Sequence, residues 1–297
     1  MNEQKTTSIY RPAIKSRRTL QGWMSRIARF LIPELLLLIY AVIVLFPLVL
    51  IIGNAFRTNH EIYTLPFSLP RIWKLDNIAK VLNSPGFLRY YLNSAKVTAM
   101  TVVLVLAAGS LAANALARYT FKCSGLIYTF FILGLILPSR LSIIPLFVLI
   151  RDIGLMNTHL ALILTYTAAG LPFAIFVLTS YFGILAKDLE DAARIDGCND
   201  LQVFLKILLP ASTPALGTVT IFNSVSTWND FFTALILISS PTKMTLQYGL
   251  LHFQAEHYSD WSMIFAGVVL TMLPMIVLYL IMSKQFIAGL TSGALKE

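Results

Sequence analysis

Six stretches of this 297-residue chain are apolar for about twenty residues or more, and that repetition limits the fold more than any single motif. They fall at residues 31–53, 95–117, 126–150, 160–182, 215–238 and 262–283, and each holds at most one or two charges. The hydrocarbon core of a bilayer is about 30 Å thick and an α-helix rises about 1.5 Å per residue, so every stretch is long enough to cross it. Hydrophobic residues make up 57% of the sequence and charged residues 12%, too few charges to cover a water-soluble globule of this length. Backbone polar groups find no partner in lipid, which leaves helices as the expected form of each span. The fold class read from this pattern is an all-α polytopic membrane protein with six transmembrane helices.

The first span follows a basic stretch, Lys5, Arg11, Lys15, Arg17, Arg18, Arg26 and Arg29, with Glu3 as its one acid. The positive-inside rule therefore puts the N-terminus in the cytoplasm, and six crossings return the C-terminus to the same side. The chain divides into a basic tail at 1–30, a transmembrane domain at 31–283 and a cytoplasmic tail at 284–297. In this topology the loops at 118–125 and 183–214 are cytoplasmic, and the long loop at about 54–94 lies outside although it carries Arg57, Arg71, Lys74, Lys80 and Arg89. No Ala-x-Ala site closes the first apolar run, so it is expected to remain as an anchor in the cell membrane. Much of the net charge of +9 sits in the tail beside that span, which points to anionic lipid as its partner and not to nucleic acid.

Between the fourth and fifth spans lies a polar island, Glu190-Asp191-Ala192-Ala193-Arg194-Ile195-Asp196-Gly197. Ala192, Ala193 and Gly197 remove bulk and let another backbone come close, and Gly197 permits a left-handed turn between two short helices. Leu201, Phe204, Leu205 and Leu208 then recur at spacings of three and four, so one side of this segment wants a partner surface. Pro210 and Pro214 restrict the chain before the next span. Taken alone these features also suit an amphipathic loop lying on the membrane. An acid, two alanines, a glycine and Ile207-x-Leu209-Pro210 in one register resemble the cytoplasmic coupling loop of ABC importer permeases, which begins Glu-Ala-Ala. Asp191 stands at the glutamate position; it is one methylene shorter, and Glu190 beside it supplies the missing reach.

That resemblance implies a type I importer permease fold whose loop docks into a cleft on a separate ATPase through Glu190, Asp191, Ala192, Ala193, Asp196, Gly197, Phe204, Ile207, Leu209 and Pro210. It also implies an ATPase dimer that carries the ATP and magnesium, a second permease subunit and an extracytoplasmic solute-binding protein, with no cofactor on this chain. Leu75-Asp76-Asn77-Ile78, Tyr90-Tyr91-Leu92-Asn93-Ser94 and Trp228-Asn229-Asp230-Phe231-Phe232 resemble segments of sugar-importing permeases, and residues 286–296 resemble the closing tail of the MalG-like members. Gly289 and Gly293 make that tail a poor regular helix, so an extended segment is expected there.

Polar groups at membrane depth are costly and normally face a bundle interior or a wet cavity. Asn223, Trp228, Asn229 and Asp230 interrupt the fifth span and are the candidate solute path: the indole offers a sugar ring a flat face, and the amide and carboxylate offer hydroxyls hydrogen bonds. Pairing with another helix explains them equally well. Arg140, between Pro138 and Pro145, lines the path or marks a break in the third span; the structural role is the expectation. The chain has no Gly-x-x-x-x-Gly-Lys phosphate loop, no His-Glu-x-x-His and no Gly-x-Ser-x-Gly, so neither ATP hydrolysis nor a familiar hydrolase site is expected on it. No histidine lies at metal-site spacing from Cys123 or Cys198. The alternative in a different class is a single-chain ion-coupled carrier, for which Glu34, Arg140 and Asp230 are the available relays.

Overall fold

The computed structural model describes residues 20–137, 139–256 and 260–294, and every regular element among them is helical. In chain order they are α1 (Leu20–Ala55), α2 (Asn59–Thr64), α3 (Asp76–Leu82), α4 (Phe87–Arg118), α5 (Ser124–Ile136), a 3-10 turn (Ser139–Ser142), α6 (Ile143–Asp152) and α7 (His159–Ile184). Then come α8 (Lys187–Ile195), α9 (Asp200–Val203), a π-helical turn (Phe204–Leu208), α10 (Leu209–Ala211) and α11 (Thr213–Asn229). The series closes with α12 (Phe232–Leu237), a 3-10 turn (Pro241–Lys243), α13 (Leu246–Glu256) and α14 (Trp261–Ala294). The chain divides at Leu50: residues up to it in α1 form one compact unit, and all packing described below belongs to the second, from Ile51 onward.

Four helical segments are long and apolar enough to cross a membrane, 31–55, 87–118, 159–184 and 261–285, and two bent pairs bring the number to six. One pair is 124–136 with 140–152, the expected third span; the other, 200–211 with 213–229, bends at Ser212, and the stretch expected as the fifth span, 215–238, is split further into α11 and α12. In the third, Leu137 precedes a proline and is extended at ψ 126°, and Pro145 falls in the first turn of α6, where its missing N–H costs nothing. In the fifth, α11 ends at Asn229 and Asp230 is extended. The Asp230 carboxylate accepts the Thr233 N–H at 3.0 Å and so starts a new helix in the middle of an apolar run. The C-terminal expectation also fails: α14 continues to Ala294 through Gly289 and Gly293. Two glycines cost about 1 kcal/mol each, which an already nucleated helix of 34 residues tolerates.

Helices α4 and α7 form the central contact, and glycine allows it. A Cβ at Gly109 would sit 2.9 Å from that of Ala174, and one at Gly170 would overlap the Asn223 amide of α11. Around this crossing Val105, Ala113, Leu178, Phe182 and Val219 make one buried cluster.

Outside the spans, Arg57 organises the loop after α1 although it is only 2% exposed. Its guanidinium donates to Asn54 Oδ1 at 2.7 Å and to the carbonyls of Ser68, Glu61 and Leu65 at 3.1, 2.5 and 2.8 Å. Asn77 ties the Ala55 and Arg57 carbonyls to α3, while Asn93 and Ser94 of α4 hold the chain around Met244 and Leu246. Acceptors left buried without a donor cost about 1–3 kcal/mol each. Arg57→Met is therefore expected to lower stability by about 3 kcal/mol or more, and Arg57→Lys to recover part of it, read as the unfolding midpoint in detergent.

Asp260 caps α14 through Ser262 Oγ at 2.6 Å and the Met263 N–H at 3.1 Å. Partial burial works against its charge, but these bonds, one with Asn59 and the Lys80 charge hold its pKa below the ordinary 3.8. A depressed carboxylate contributes stability that is complete above its unfolded pKa and lost as pH falls through the folded value. Acid titration below about pH 4 should thus remove a contribution that Asp260→Asn lacks at every pH, measured as unfolding midpoint against pH.

Candidate functional site

The polar island folds into a short helical hairpin. Helix α8 ends in a Schellman motif, with Gly197 at φ +86°, its N–H on the Arg194 carbonyl at 3.0 Å and the Cys198 N–H on the Ala193 carbonyl at 2.9 Å. Asn199 and Gln202 then form a reciprocal capping box that opens α9. Leu189, Ala192 and Ile195 follow at a spacing of three along α8 and all are exposed, Ile195 at 87%. Asp191, Asp196, Gly197 and Pro210 are exposed as well, and Ile207 and Leu209 are half-buried.

Four of the sequence candidates face the other way: Glu190, Ala193, Phe204 and Leu208 are buried. Phe204 and Leu208 are buried against Ala113, Leu178 and Phe182, while Leu201 and Leu205 stay exposed, so the apolar stripe is split between the protein's own core and the outside. Glu190 is also internal. Its carboxylate meets the Arg118 guanidinium at the end of α4 at 2.6 Å, with the two side chains 5% and 6% exposed, so it is not available to lend reach to Asp191. The same guanidinium donates to the Leu185 carbonyl at the end of α7 at 3.1 Å. One turn on, Arg194 lies 3.6 Å from the second Glu190 oxygen and bonds Asp191 at 3.0 Å and Asp200 at 3.4 Å, clasping α8 to α9. Partial desolvation opposes the Arg194 charge, but hydrogen bonds to Asp200 and Asp191 and the Glu190 charge outweigh it and raise its pKa. Beyond α10 the chain bends by 75° into α11.

In the fifth span the four path candidates separate. Trp228 is 3% exposed, donates Nε1–H to the Thr271 carbonyl at 3.0 Å and meets the Tyr91 ring edge-on, so its indole presents no open face. Asn223 bonds the Val219 carbonyl at 2.9 Å and packs on Gly170, a helix contact. Asn229 is exposed and bridges Val225 and Gln247. Asp230 alone of the four reaches a cavity of about 770 Å³ between α5, α6, α7 and α11, where it accepts a 2.8 Å hydrogen bond from the Tyr166 hydroxyl. Arg140 lines the same cavity.

Comparison with known proteins decides what kind of bundle this is. Residues 105–287 match the family described as binding-protein-dependent transport system inner membrane component. The probable ABC transporter permease protein YurM of Bacillus subtilis is 37% identical over 88% of this chain and 86% of its own. The chain belongs to this family of ABC transporter permeases. The diacetylchitobiose uptake system permease protein NgcG of Streptomyces coelicolor is 34% identical over 89% of this chain and 88% of its own. A solved bacterial ABC transporter involved in import of the acidic polysaccharide alginate superposes with a TM-score of 0.77 at 25% identity, over 90% of this chain and 98% of that one. Membership makes this a membrane transport subunit with the importer permease fold and displaces the single-chain ion-coupled carrier.

In the permease, sequence reasoning missed Arg118 as the partner of Glu190 and Ile195 as the most exposed apolar side chain of the hairpin. Ile195 was marked by its place in a polar run; Arg118 left no local signal, because its partner is 72 positions away along the chain. Breaking a buried ion pair strands a charge, at a cost of about 3–5 kcal/mol, whereas replacing both members with apolar side chains is often near neutral. Glu190→Ala is expected to lower the unfolding midpoint of the permease strongly, and Arg118→Met with Glu190→Met to restore most of it, in a thermal unfolding series on the detergent-solubilised protein.

Proposed function

We propose that this permease forms half of the pathway through which an ATP-driven importer takes up a carbohydrate, an oligosaccharide or glycoside delivered by an extracytoplasmic solute-binding protein. The observation that carries the coupling is the two-sided hairpin. Glu190, Phe204 and Leu208 fasten it to the bundle, and Leu189, Ala192, Ile195, Asp191 and Gly197 are turned outward. An element held this way passes a displacement on to α4 and α7 that a flexible linker would absorb. The ATPase dimer, with its ATP and magnesium, receives the outward face, and a second permease completes the pathway. Both termini lie in the cytoplasm, in keeping with the basic stretch before the first span. Saccharide as the cargo class is supported by NgcG, named for diacetylchitobiose, and by the alginate importer.

Solubilising native membranes and pulling down the tagged permease tests this directly. The unaltered chain is expected to bring an ATPase and a second permease with it. Ile195→Glu, which places a charge where the free chain buries nothing, should lose the ATPase at least tenfold while keeping the second permease, a loss of about 1.4 kcal/mol or more of docking energy. Gly197→Arg, which forces a side chain into a left-handed position, should do the same. A permease that purifies alone and unaltered uptake by both variants would sink the proposal.

A further inference from the structure

Arg140 carries a charge within the third span and, among the described residues, forms no direct ion pair. It lies midway along the broken third span and is exposed; its guanidinium is 6.0 Å from the centroid of the Phe232 ring, within reach of a cation–π attraction. Phe232 follows the break in the fifth span, so the two discontinuities open on one cavity, with Arg140 from the first and Asp230 from the second. Asp230 Oδ1 is taken by the Tyr166 hydroxyl and the Thr233 N–H, which leaves its second oxygen as an acceptor. On the same wall the Thr165 hydroxyl is buried without a hydrogen-bond partner. Irregular backbone and charge are tolerated within a membrane where they line a space that water or solute fills. About 770 Å³ is also the size of a small-molecule site.

We infer that this cavity is where the permease contacts its solute, that Arg140, Tyr166 and Asp230 hold it, and that it accepts a neutral, hydroxyl-rich sugar unit in preference to a sugar acid. The inference rests on the carbohydrate reading above and adds the residues and the charge class. Each sugar hydroxyl both donates and accepts. Arg140 brings donors without acceptors, and the Asp230 carboxylate brings acceptors without donors, so together they match a polyol and balance in charge. A uronate would set a second anion beside Asp230. Phe232, with the Arg140 guanidinium 6.0 Å from its ring centroid, adds apolar surface for the C–H face of a sugar. The site also differs from the path that the sequence suggested, since Trp228 and Asn223 lie in helix contacts.

The test uses cells that carry the whole transporter. Deleting the gene for this chain and measuring uptake of radiolabelled cellobiose, maltotriose, xylobiose and diacetylchitobiose beside digalacturonate shows which sugar depends on it. Dependence for one or more of the neutral saccharides supports the charge class. Dependence for digalacturonate alone overturns it and leaves the carbohydrate reading standing; no dependence for any of them overturns the carbohydrate reading itself. With the dependent sugar, Arg140→Met and Asp230→Asn are each expected to cut maximal uptake about 10- to 100-fold, as the loss of a hydrogen bond to a charged group does. Arg140→Lys should keep more than Arg140→Met, and pull-downs should recover the ATPase and second permease in unaltered amounts. Normal uptake by Arg140→Met and Asp230→Asn, or selective loss of the second permease with Arg140→Met, overturns the assignment.

Discussion

The ion pair between Arg118 and Glu190 joins the helical bundle of this permease to its polar hairpin. Taking two charges out of water costs several kcal/mol apiece, and only a close opposite charge returns that energy. The 2.6 Å approach therefore does more than add a contact. It ties the first half of α8 to the C-terminal end of α4, and through the Leu185 carbonyl to the C-terminal end of α7, the two helices whose packing makes the centre of the bundle. Arg194 extends the chain of charges to α9. Phe204 and Leu208 secure the hairpin a second time from its other arm. Two anchors of different physical kind, one ionic and one apolar, leave the hairpin little freedom to pivot on the bundle.

A second constraint shapes the spans. Apolar length alone is satisfied by one unbroken helix, and four segments take that form. The stretches expected as the third and fifth spans are interrupted where the chain offers something better than the next helical hydrogen bond: a residue forced out of the helical region before a proline, and an aspartate whose carboxylate caps the following turn. Each interruption costs backbone hydrogen bonds in a medium without water, and such a cost persists where the site has a use for the freed groups.

How far the sequence could be read follows from the range of each interaction. Spans were legible because hydropathy is a sum over twenty neighbours. Gly197 was legible because a glycine between two short helical patterns has few other uses. Glu190 was assigned outward because its reach was judged from Asp191, its neighbour, whereas its direction is set by Arg118 on another helix. Phe204 and Leu205 share one stripe in the sequence, yet as neighbours about 100° apart around the helix they part company, Phe204 to the core and Leu205 outward. The role of Trp228 was open between solute and helix, and its bond to Thr271, 43 positions away, speaks for the helix.

Arg57 has a consequence for how the chain reaches its final state. With the N-terminus in the cytoplasm as proposed, this arginine must pass the bilayer, yet the carbonyls that satisfy it belong to residues 61–68, which emerge from the ribosome after it. Neither the cation nor its cage can be traded for the other in transit, so the knot closes only once both have crossed. Thereafter the charge is sealed among neutral oxygens, and pulling it back would expose it again. In that topology the loop works as a latch closed on the outer side, which opposes return of Arg57 through the bilayer.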